Sequence, residues 1–536
     1  MNCCEKRLYY NGRIVTLDAE DSRADAVLVA GDRIEAVGGA AELRGLGGPR
    51  LRETDLDGLV VYPGFIDTHS HPDLLAAWAP YAYCGGTADL ASALDILRRH
   101  DQLHDLPIPM GYGFDDTAIA ERRGPDLAEM DALFPDKPAV LLHISIHAAY
   151  INSRMYDLLG IPLDRPSDNI DIVCENGRPN GLVTEGAALA ALDKLPPVTP
   201  ESLKRGLLAA VDHYNAQGFT ACIGGGAGLG GLTPHMLGAA LADLEREGSL
   251  RLHLHLPVYA DRFEQALESG LLDGAGSPLL RFHGIKLLTD GSIQAYTAAV
   301  PEGYHSRPEI RPATIIPQDE LEALVFKAHS AGQQAVIHGN GNGAIEAAIQ
   351  AVEKAQARFP RADPRHLLIH CQMASDAQLA RMKAAGLWPS FFGLHVWNWG
   401  DRHHDVFLGP ERAARIDPCG SAVRLGLPFS LHADTPVLPQ MTMQSIHTAV
   451  NRRTRAGRLL GADQRVSVLD ALRAYTTYAA AMCFEERNRG SIEPGKAADF
   501  TLLDADPRAV PPEEIRDVKI VSVISMGRPA RGCLKD

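Results

Sequence analysis

The chain has 536 residues, of which 46% are hydrophobic and 22% are charged, an ordinary composition for a globular protein of more than one domain. The formal net charge of -15, without a Lys/Arg stripe between aromatic residues, argues against a nucleic-acid partner. The apolar runs are much shorter than the roughly 20 residues that a membrane helix needs. Residues 1–18 alternate like a strand and lack the pattern of a signal peptide, so we expect a cytoplasmic protein without a membrane partner.

The two ends of the chain share a pattern of short strands. Strands are predicted at residues 8–10, 13–17, 26–30, 33–37, 499–503 and 519–524. Asn11-Gly12 and Gly31-Asp32 provide tight turns between the first four of these strands. We therefore expect one small β-sandwich domain built from residues 1–62 and 488–536.

The middle of the chain alternates between strands and helices. Strands are predicted at 219–223, 250–258, 284–288, 334–337 and 366–370, and helices at 200–217, 233–247, 318–332 and 343–359. This alternation is typical of a parallel α/β sheet, and residues 63–487 are long enough for an eight-fold barrel. Pro, Gly and Asp residues blur the pattern between about residues 75 and 195, where we expect an insertion.

Two histidines follow the first strand of the predicted barrel. Pro63-Gly64 ends an apolar run, and residues 65–68 are predicted to form a short buried strand that leads to His69 and His71. Side chains two residues apart on a strand point to the same side, so these two imidazoles can bind one metal ion. A His-x-His pair alone is common by chance, but these flanking residues favour a metal site.

Polar side chains also occur at the ends of later strands. His338 follows the apolar segment 335–337, His370 ends the strand at 366–370, and Asp434 follows a strand by way of His432. Lys286 lies in a strand where a core residue should be apolar. Because barrel enzymes build their sites at the carboxyl ends of the strands, we expect these side chains to converge on one site.

With these residues in this order, the chain resembles the metal-dependent amidohydrolase superfamily, and most closely its amidohydrolase family 3 branch of YtcJ-like proteins. The segments that carry the resemblance are PGFIDTHSH (63–71), GIKLLTDGS (284–292), AVIHGNGNGAIEAAI (335–349), HADTPV (432–437) and GSIEPGKAADFTLLDADP (490–507). The resemblance implies a distorted (β/α)8 TIM barrel that binds one or two divalent metal ions, usually zinc. It also implies hydrolysis of amides, cyclic amides or related bonds in a small-molecule substrate.

The resemblance also implies a ligand set. It assigns His69 and His71 to one metal ion and His338 and His370 to the other. Lys286 would bridge the two ions, which requires its neutral amine to react with carbon dioxide and become an N6-carboxylated lysine.

Two alternatives for Lys286 remain open at this stage. It could be an ordinary lysine that pairs with Asp290 or another acid. If it is unmodified, Glu185 in the segment NGLVTEGAAL is an alternative metal-binding carboxylate, although a solvated or capping acid is the simpler interpretation of that residue.

Asp434 is the predicted catalytic residue. It would contact a metal ion and the attacking water together, take a proton from that water, and return the proton to the departing amine. The chain departs from the family pattern at Asn340, where many members have Asp after the fifth-strand Gly, and at His432-Ala433-Asp434, where many have Gly-Ser-Asp. These changes keep the ligands but alter their surroundings, so they leave the substrate open.

Other candidate residues carry weaker signals. The segment GLHVWNWGD is predicted to form an aromatic loop that either binds substrate or only packs against the barrel, and its candidate residues are His395, Trp397 and Trp399, of which His395 and Trp397 are the predicted substrate contacts. His143 and His147 are expected on or near a strand, in the core or a pocket. The glycine run at 224–231 does not fit a nucleotide-binding motif, and a flexible strand-to-helix loop near the site is the preferred interpretation.

The retained ligand residues favour an enzyme over a binding or regulatory protein on the same fold. Within the enzyme class, cleavage of a non-peptide C–N bond is the main prediction, and an ester hydrolase, lactone hydrolase or deaminase is the alternative. A homodimer is a further expectation, which rests on the resemblance alone.

Overall fold

The computed structural model describes residues 5–165, 169, 171–228, 232–273, 277 and 279–532. Residues at both ends of the predicted terminal domain, and residues 229–231 of the glycine run, lie outside this part. Within the described residues, no helix is both long enough and apolar enough to cross a membrane.

The amino-terminal segment forms strands in two different sheets. Its elements are β1 (Lys6–Tyr10), β2 (Arg13–Val15), β3 (Arg23–Ala24), β4 (Ala26–Ala30), β5 (Arg33–Gly38), α1 (Ala40–Gly47), β6 (Arg52–Asp55) and β7 (Val60–Pro63). β4 and β5 pair antiparallel around Gly31-Asp32, as the sequence predicts. The turn at Asn11-Gly12 instead connects β1 in one sheet to β2 in the other. The short helix α1 was not predicted.

The first barrel strand is followed by a long excursion with its own sheet. The elements are β8 (Phe65–Ser70), α2 (Pro72–Trp78), β9 (Ala82–Tyr83), α3 (Leu90–His104), β10 (Met110–Phe114), α4 (Leu127–Leu133), β11 (Val140–His143), β12 (Ala148–Ile151), α5 (Ser153–Leu159), β13 (Ile172–Glu175), β14 (Arg178–Thr184) and α6 (Glu185–Leu192). Strands β9 to β14 form a six-stranded sheet in the order β13-β14-β12-β11-β10-β9. This sheet lies within the segment predicted as an insertion, and one of its faces packs on a separate apolar cluster that includes Leu97 and Leu141.

Seven further strands complete the barrel. They are β15 (Phe219–Gly224), β16 (His253–Tyr259), β17 (Leu280–Leu288), β18 (Ala335–Gly339), β19 (His366–His370), β20 (Leu387–Phe392) and β21 (Ser430–His432). The accompanying helices are α7 (Pro200–Ala216), α8 (Pro234–Arg246), α9 (Ala260–Glu268), α10 (Gln318–Ser330), α11 (Asn342–Arg358), α12 (Asp376–Ala385), α13 (His395–Arg402), α14 (Gly409–Ala414), α15 (Cys419–Leu425), α16 (Thr442–Asn451), α17 (Val468–Ala474) and α18 (Thr477–Met482). The eight strands pair in parallel in the order β8-β15-β16-β17-β18-β19-β20-β21.

The first and last barrel strands approach each other through polar contacts. Thr68 Oγ1 on β8 donates to Ser430 Oγ on β21 at 2.7 Å, and the backbone N–H of Asp434 donates to the carbonyl of His69 at 3.2 Å. The eight strands thus form a nearly closed parallel barrel, which confirms the predicted TIM-barrel fold.

Several barrel helices begin where the sequence provides caps. Thr199, Thr233 and Ser375 each accept a backbone N–H from the first turn of the helix that follows. These caps satisfy amide groups that have no partner inside the helix, so they fix where each helix starts. Each loop at the carboxyl end of the barrel runs from the end of a strand to the start of the next helix, so the position of the cap sets the length of the loop.

The carboxyl-terminal strands return to the amino-terminal domain. Strands β22 (Phe500–Leu503), β23 (Ile520–Ser525) and β24 (Arg528–Arg531) join the sheet of order β24-β23-β22-β7-β2-β3, in which β22 runs antiparallel to β7. Tyr9, Ile34 and Phe500 are buried in one apolar cluster between this sheet and the β5-β4-β1-β6 sheet. The small β-sandwich from both chain ends is therefore confirmed, while the exact domain boundaries stay a prediction.

Candidate metal centre

Polar side chains at or just after the carboxyl ends of five barrel strands form one cluster. His69 lies near the end of β8, Lys286 near the end of β17 and His338 near the end of β18, while His370 ends β19 and Asp434 follows β21. All five side chains are buried. Because parallel strands end at the same face of the barrel, residues up to 365 positions apart in the chain become neighbours.

His69 and His71 both face Asp434. The Nε2 atoms of the two imidazoles lie 3.4 Å from Oδ1 of Asp434. Nε2 of His370 lies 3.9 Å from the other carboxylate oxygen. One ligand atom from each of His69, His370 and Asp434 lies within 4.8 Å of the other two, a spacing that suits a shared metal ion.

Two residues of this group have unusual backbone conformations. His370 has a φ of 66° and Asp434 has a φ of 55°, both in the left-handed region that residues other than glycine rarely adopt. Such conformations cost free energy and are typical of functional sites. Here they occur at the two strand ends where the chain must turn to present a side chain to the centre.

Two glycines of the 224–231 run allow close approach to the centre. A Cβ atom on Gly225 would lie 2.1 Å from the ring of His71, and one on Gly226 would lie 3.0 Å from Cγ of Lys286. Gly226 also has a φ of 138°, which disfavours a side chain. The described part of this run therefore packs directly against two candidate metal-binding residues.

His338 and His370 are oriented toward each other. Nδ1 of His338 lies 3.1 Å from Nε2 of His370. On its far side, Nε2 of His338 lies 3.2 Å from the carbonyl oxygen of Gly291, to which it can donate. That bond keeps the proton on Nε2 and leaves the Nδ1 lone pair directed at the centre.

The local electrostatics keep these imidazoles neutral. Burial and the neighbouring Lys286 hold the pKa of His69 well below its ordinary value. Burial and nearby histidines lower the pKa of His338 and of His370 in the same way. Neutral imidazole is the form that binds metal ions, so these pKa shifts suit a ligand role.

Lys286 lies inside the same group. It is 1% exposed, and its Nζ lies 3.4 Å from Nε2 of His69. Burial lowers the pKa of Lys286 to about 7, although the charge of Asp434 opposes the shift. A substantial fraction of this side chain is therefore a neutral amine near neutral pH.

Asp290, one of the acids with which an unmodified Lys286 could pair, is engaged with the backbone. Its carboxylate accepts backbone N–H groups from Ala299, Asn340 and Gly341 at 2.8 to 3.0 Å. It therefore fixes the loops that follow β17 and β18 instead of neutralising a lysine.

Glu185 lines the same cavity as Lys286 but pairs with a histidine. Its Oε2 lies 2.9 Å from Nδ1 of His147, and both residues line the same cavity as Lys286. Burial opposes the ionised form, yet the charge of His147 outweighs it and lowers the pKa of Glu185. The alternative metal role of Glu185 stays a prediction, and the structure shows an acid already engaged in an ion pair.

Two adjoining cavities open at the centre, and both have His147, His338 and Asp434 in their walls. The first has an aromatic and polar lining that includes Phe392, His395, Trp399, Ser292 and Gln294. The second has an aliphatic lining that includes Leu74, Ile146, Leu189, Leu288 and Val437. A small molecule in either cavity would contact the candidate metal-binding residues.

The predicted aromatic loop is a helix, α13. His395 faces the first cavity, with its ring stacked on Phe392 at a centroid distance of 4.4 Å. Trp399 lines the same cavity, whereas Trp397 lies outside its lining and packs under Arg455 at 4.4 Å. The reason is helical spacing: residues 395 and 399 share one face of the helix and residue 397 does not.

A second polar group lies beside the first cavity. Asp115, Asp116 and His143 also have the spacing of a metal site. Asp115 accepts the indole N–H of Trp399 at 3.1 Å, and within the group Asp116 lies 3.2 Å from His143. Asp115 thus holds the indole of Trp399, which forms part of the cavity wall.

The structure adds residues that the sequence did not assign to the site. His147 lines both cavities, Asn340 lies 3.2 Å from Nε2 of His338, and His432 lies 3.1 Å from His370. His432 and Asn340 carried a signal, because both are positions where the chain departs from the family pattern. His147 carried none that separates it from a core histidine.

The chain is similar to known proteins over nearly its whole length. A sequence model of the amidohydrolase family matches residues 52–531. The chain is 30% identical to the N-substituted formamide deformylase of Arthrobacter pascens, over 95% of each protein. It is 28% identical to the putative amidohydrolase YtcJ of Bacillus subtilis (strain 168), over 98% of this chain and 99% of that one.

The solved structures show the same fold. An uncharacterized metal-dependent hydrolase from Pyrococcus horikoshii aligns with a TM-score of 0.75 at 24% sequence identity, over 95% of this chain and 99% of that one. The family match over most of the sequence also confirms the predicted family. The chain therefore belongs to the amidohydrolase family, as a hydrolase that acts on carbon–nitrogen bonds.

Proposed function

We propose that this hydrolase cleaves the C–N bond of a non-peptide amide in a small molecule, with one or two divalent metal ions, zinc by preference. The observation that carries the proposal is the meeting of four histidines and Asp434 at the carboxyl end of the barrel. The proposed ligands of one ion are His69 and His71, and those of the other are His338 and His370.

The residues present fit such ions. Oδ1 of Asp434 is buried and has no hydrogen-bond partner among the described residues, and Nε2 of His69 and Nε2 of His71 each lie 3.4 Å from it. Neutral imidazole nitrogens with a carboxylate oxygen form a donor set that zinc accepts. Lys286 would complete the set as an N6-carboxylated side chain, since its buried amine is partly neutral and lies beside His69.

The chemistry divides between the metal and Asp434. A divalent ion held here would polarise the substrate carbonyl and acidify the attacking water. Asp434 lies between His69, His71 and His370, and it borders both cavities. We propose that its carboxylate takes up the proton that the water loses as the new C–O bond forms. The carboxylic acid then gives this proton to the departing nitrogen as the C–N bond breaks.

The aliphatic lining of the second cavity supports a substrate with an apolar substituent on the amide nitrogen. Leu74, Ile146, Leu189 and Leu288 form an aliphatic wall close to Lys286. Because the chain resembles a protein named as an N-substituted formamide deformylase, N-substituted formamides are the first substrates we propose to test. An ester, lactone or deaminase activity at the same site remains the competing prediction.

Three predictions from the sequence accompany this proposal. We propose a terminal domain of residues 1–62 and 488–536 and a barrel of residues 63–487. We also propose a homodimer and a cytoplasmic location.

The first experiment is elemental mass spectrometry on protein purified without added metal, paired with activity on an N-alkylformamide and its formate ester before and after chelation. About two zinc ions per chain and chelator-sensitive amide hydrolysis would support the proposal, and about one ion would indicate a mononuclear site with unmodified Lys286. Chains that bind no metal and hydrolyse neither compound would contradict it.

A matched pair of variants tests the catalytic role. Asp434→Asn should lower kcat on the formamide by about a thousandfold or more, because the amide cannot take up the proton. Asp261→Asn, at an exposed carboxylate early in α9, should leave kcat unchanged. Retained activity in a folded Asp434→Asn protein would overturn the mechanism.

A further inference from the structure

His395 is held by a buried carboxylate behind the cavity wall. Its Nδ1 lies 3.0 Å from Oδ1 of Asp417, and both side chains are about 95% buried. The ring stacks on Phe392 at an interplanar angle of 18°. Position and rotation of this imidazole are therefore both fixed.

The carboxylate is itself fixed by the surrounding backbone. The N–H of Asp417 donates to the carbonyl of Gln372 at 2.9 Å. The buried guanidinium of Arg452 donates to the carbonyls of Ile416, Asp417 and Leu460 at 2.9 to 3.2 Å. These contacts hold the segment with Asp417 in place without using its carboxylate, so the carboxylate stays available to His395.

This arrangement determines which ring nitrogen carries the proton. A carboxylate only accepts hydrogen bonds, so Nδ1 of a neutral His395 must carry the hydrogen. Nε2 is then a hydrogen-bond acceptor, and it has no partner among the described residues. The ring lines the cavity that also contains His338, His370 and Asp434.

We propose that Nε2 of His395 accepts a hydrogen bond from the N–H of the substrate, so that the enzyme selects secondary amides over N,N-disubstituted amides and esters. This selectivity rests on the amide hydrolysis proposed above, and it narrows the substrate class of that reaction to secondary amides. His395 acts as a specificity-determining residue, and Asp417 acts through it as a positioning residue.

The expected selectivity follows from the free energy that is lost when a hydrogen-bond acceptor in the cavity has no donor. A secondary amide presents one N–H, which can replace the water that solvates Nε2 of His395. An N-methyl amide or an ester presents no donor there and leaves that nitrogen without a partner inside the cavity. Sites that hydrogen-bond a substrate N–H discriminate strongly against analogues that lack it.

The test uses three matched compounds with the metal-loaded enzyme: N-hexylformamide, N-hexyl-N-methylformamide and hexyl formate. The readout is the ratio of kcat/KM for the secondary amide to kcat/KM for each of the other two. His395→Phe keeps a flat ring next to Phe392 but removes the acceptor, so each ratio should fall about tenfold or more. Because ratios are compared with those of the wild type, the intrinsic reactivities of the compounds cancel.

Asp417→Asn provides a second variant with little change in shape. An asparagine amide can donate to Nδ1, which moves the ring proton to Nε2 and turns the acceptor into a donor. The same ratios should therefore fall, while Arg452 keeps its backbone contacts. His404→Phe is the matched control, because His404 pairs with Asp405 on the partly exposed side of the neighbouring turn and should leave the ratios unchanged.

The outcomes separate this inference from the proposed function. Equal losses on all three compounds in folded His395→Phe protein, or wild-type enzyme that cleaves the N-methyl amide as fast as the secondary amide, would overturn the inference alone. Metal-loaded wild-type enzyme that cleaves none of the three would overturn the proposed function and the inference with it.

Discussion

Nε2 of His432 lies 3.1 Å from Nδ1 of His370. The other nitrogen of His432 lies 2.8 Å from Oγ of Ser390, which in turn lies 2.8 Å from Oγ1 of Thr68. Nδ1 of His370 can thus donate to His432, while His432 donates to Ser390. This chain of hydrogen bonds leaves the Nε2 lone pair of His370 free for a metal ion.

His432→Phe should therefore weaken metal binding without removing a proposed ligand. Loss of the partner frees His370 to rotate or to change tautomer, and such changes beside a metal site typically cost 10-fold to 100-fold in affinity, so we expect about that loss. Competition with a chromogenic chelator measures the affinity. His235→Phe, at an exposed position in α8, is the control, and an unchanged affinity in His432→Phe would contradict the role.

Lys286→Ala should lower amide hydrolysis by about a hundredfold or more, because the proposed bridging carboxylate is lost. Added acetate should restore part of the activity, since a small carboxylic acid can occupy the space that the side chain leaves. The measurement is kcat as a function of acetate concentration, with Asp434→Asn as a variant that acetate should not rescue. Full activity of Lys286→Ala without acetate would rule out the bridge.

Gly225→Ala should disturb the centre through His71. The added Cβ would lie 2.1 Å from the His71 ring, so that the imidazole or the loop has to move. We expect fewer metal ions per chain and lower activity, with the rest of the fold retained. Gly39→Ala is the control, because no atom lies within 4 Å of its added Cβ, and equal metal content in the two variants would contradict the prediction.

Asp499 links the terminal domain to the barrel. Its carboxylate lies 3.3 Å from Nε2 of His253 on β16 and 3.3 Å from a guanidinium nitrogen of Arg489. Burial raises the pKa of Asp499, but the charges of His253 and Arg489 outweigh burial and hold the pKa below its ordinary value. The ionised form is therefore favoured by folding.

Asp499→Asn should lower the free energy of unfolding by about 2 kcal/mol at neutral pH, since it removes one of the two carboxylates, with Glu485, that pair with the buried guanidinium of Arg489. A lowered pKa gives a contribution that is complete above the ordinary pKa of about 4 and is lost as pH falls through the folded value. The difference between wild-type and variant thermal midpoints should thus be large at pH 7 and narrow below pH ~4. A difference that does not depend on pH would contradict this account.

The local pattern of apolar and capping residues in the sequence was enough to predict much of the fold. The strand at 366–370 and the helices near 200–217 and 343–359 agree with β19, α7 and α11 within about a residue at each end. Such segments follow from apolar periodicity and capping residues, which act over a few positions. The turn at Asn11-Gly12 joins two sheets because strand partners depend on residues distant in the chain, which local pattern does not encode.

By itself, the sequence determined that the chain alternates between strands and helices and that histidines, a lysine and an aspartate stand at strand ends. Those features are local, and the common carboxyl face of a parallel barrel converts them into one site. Only the tertiary structure decided that His432 supports His370, that Glu185 pairs with His147, and that Trp399 rather than Trp397 lines the cavity. These relationships depend on side chains from separate elements meeting at particular angles, which packing of the whole barrel sets.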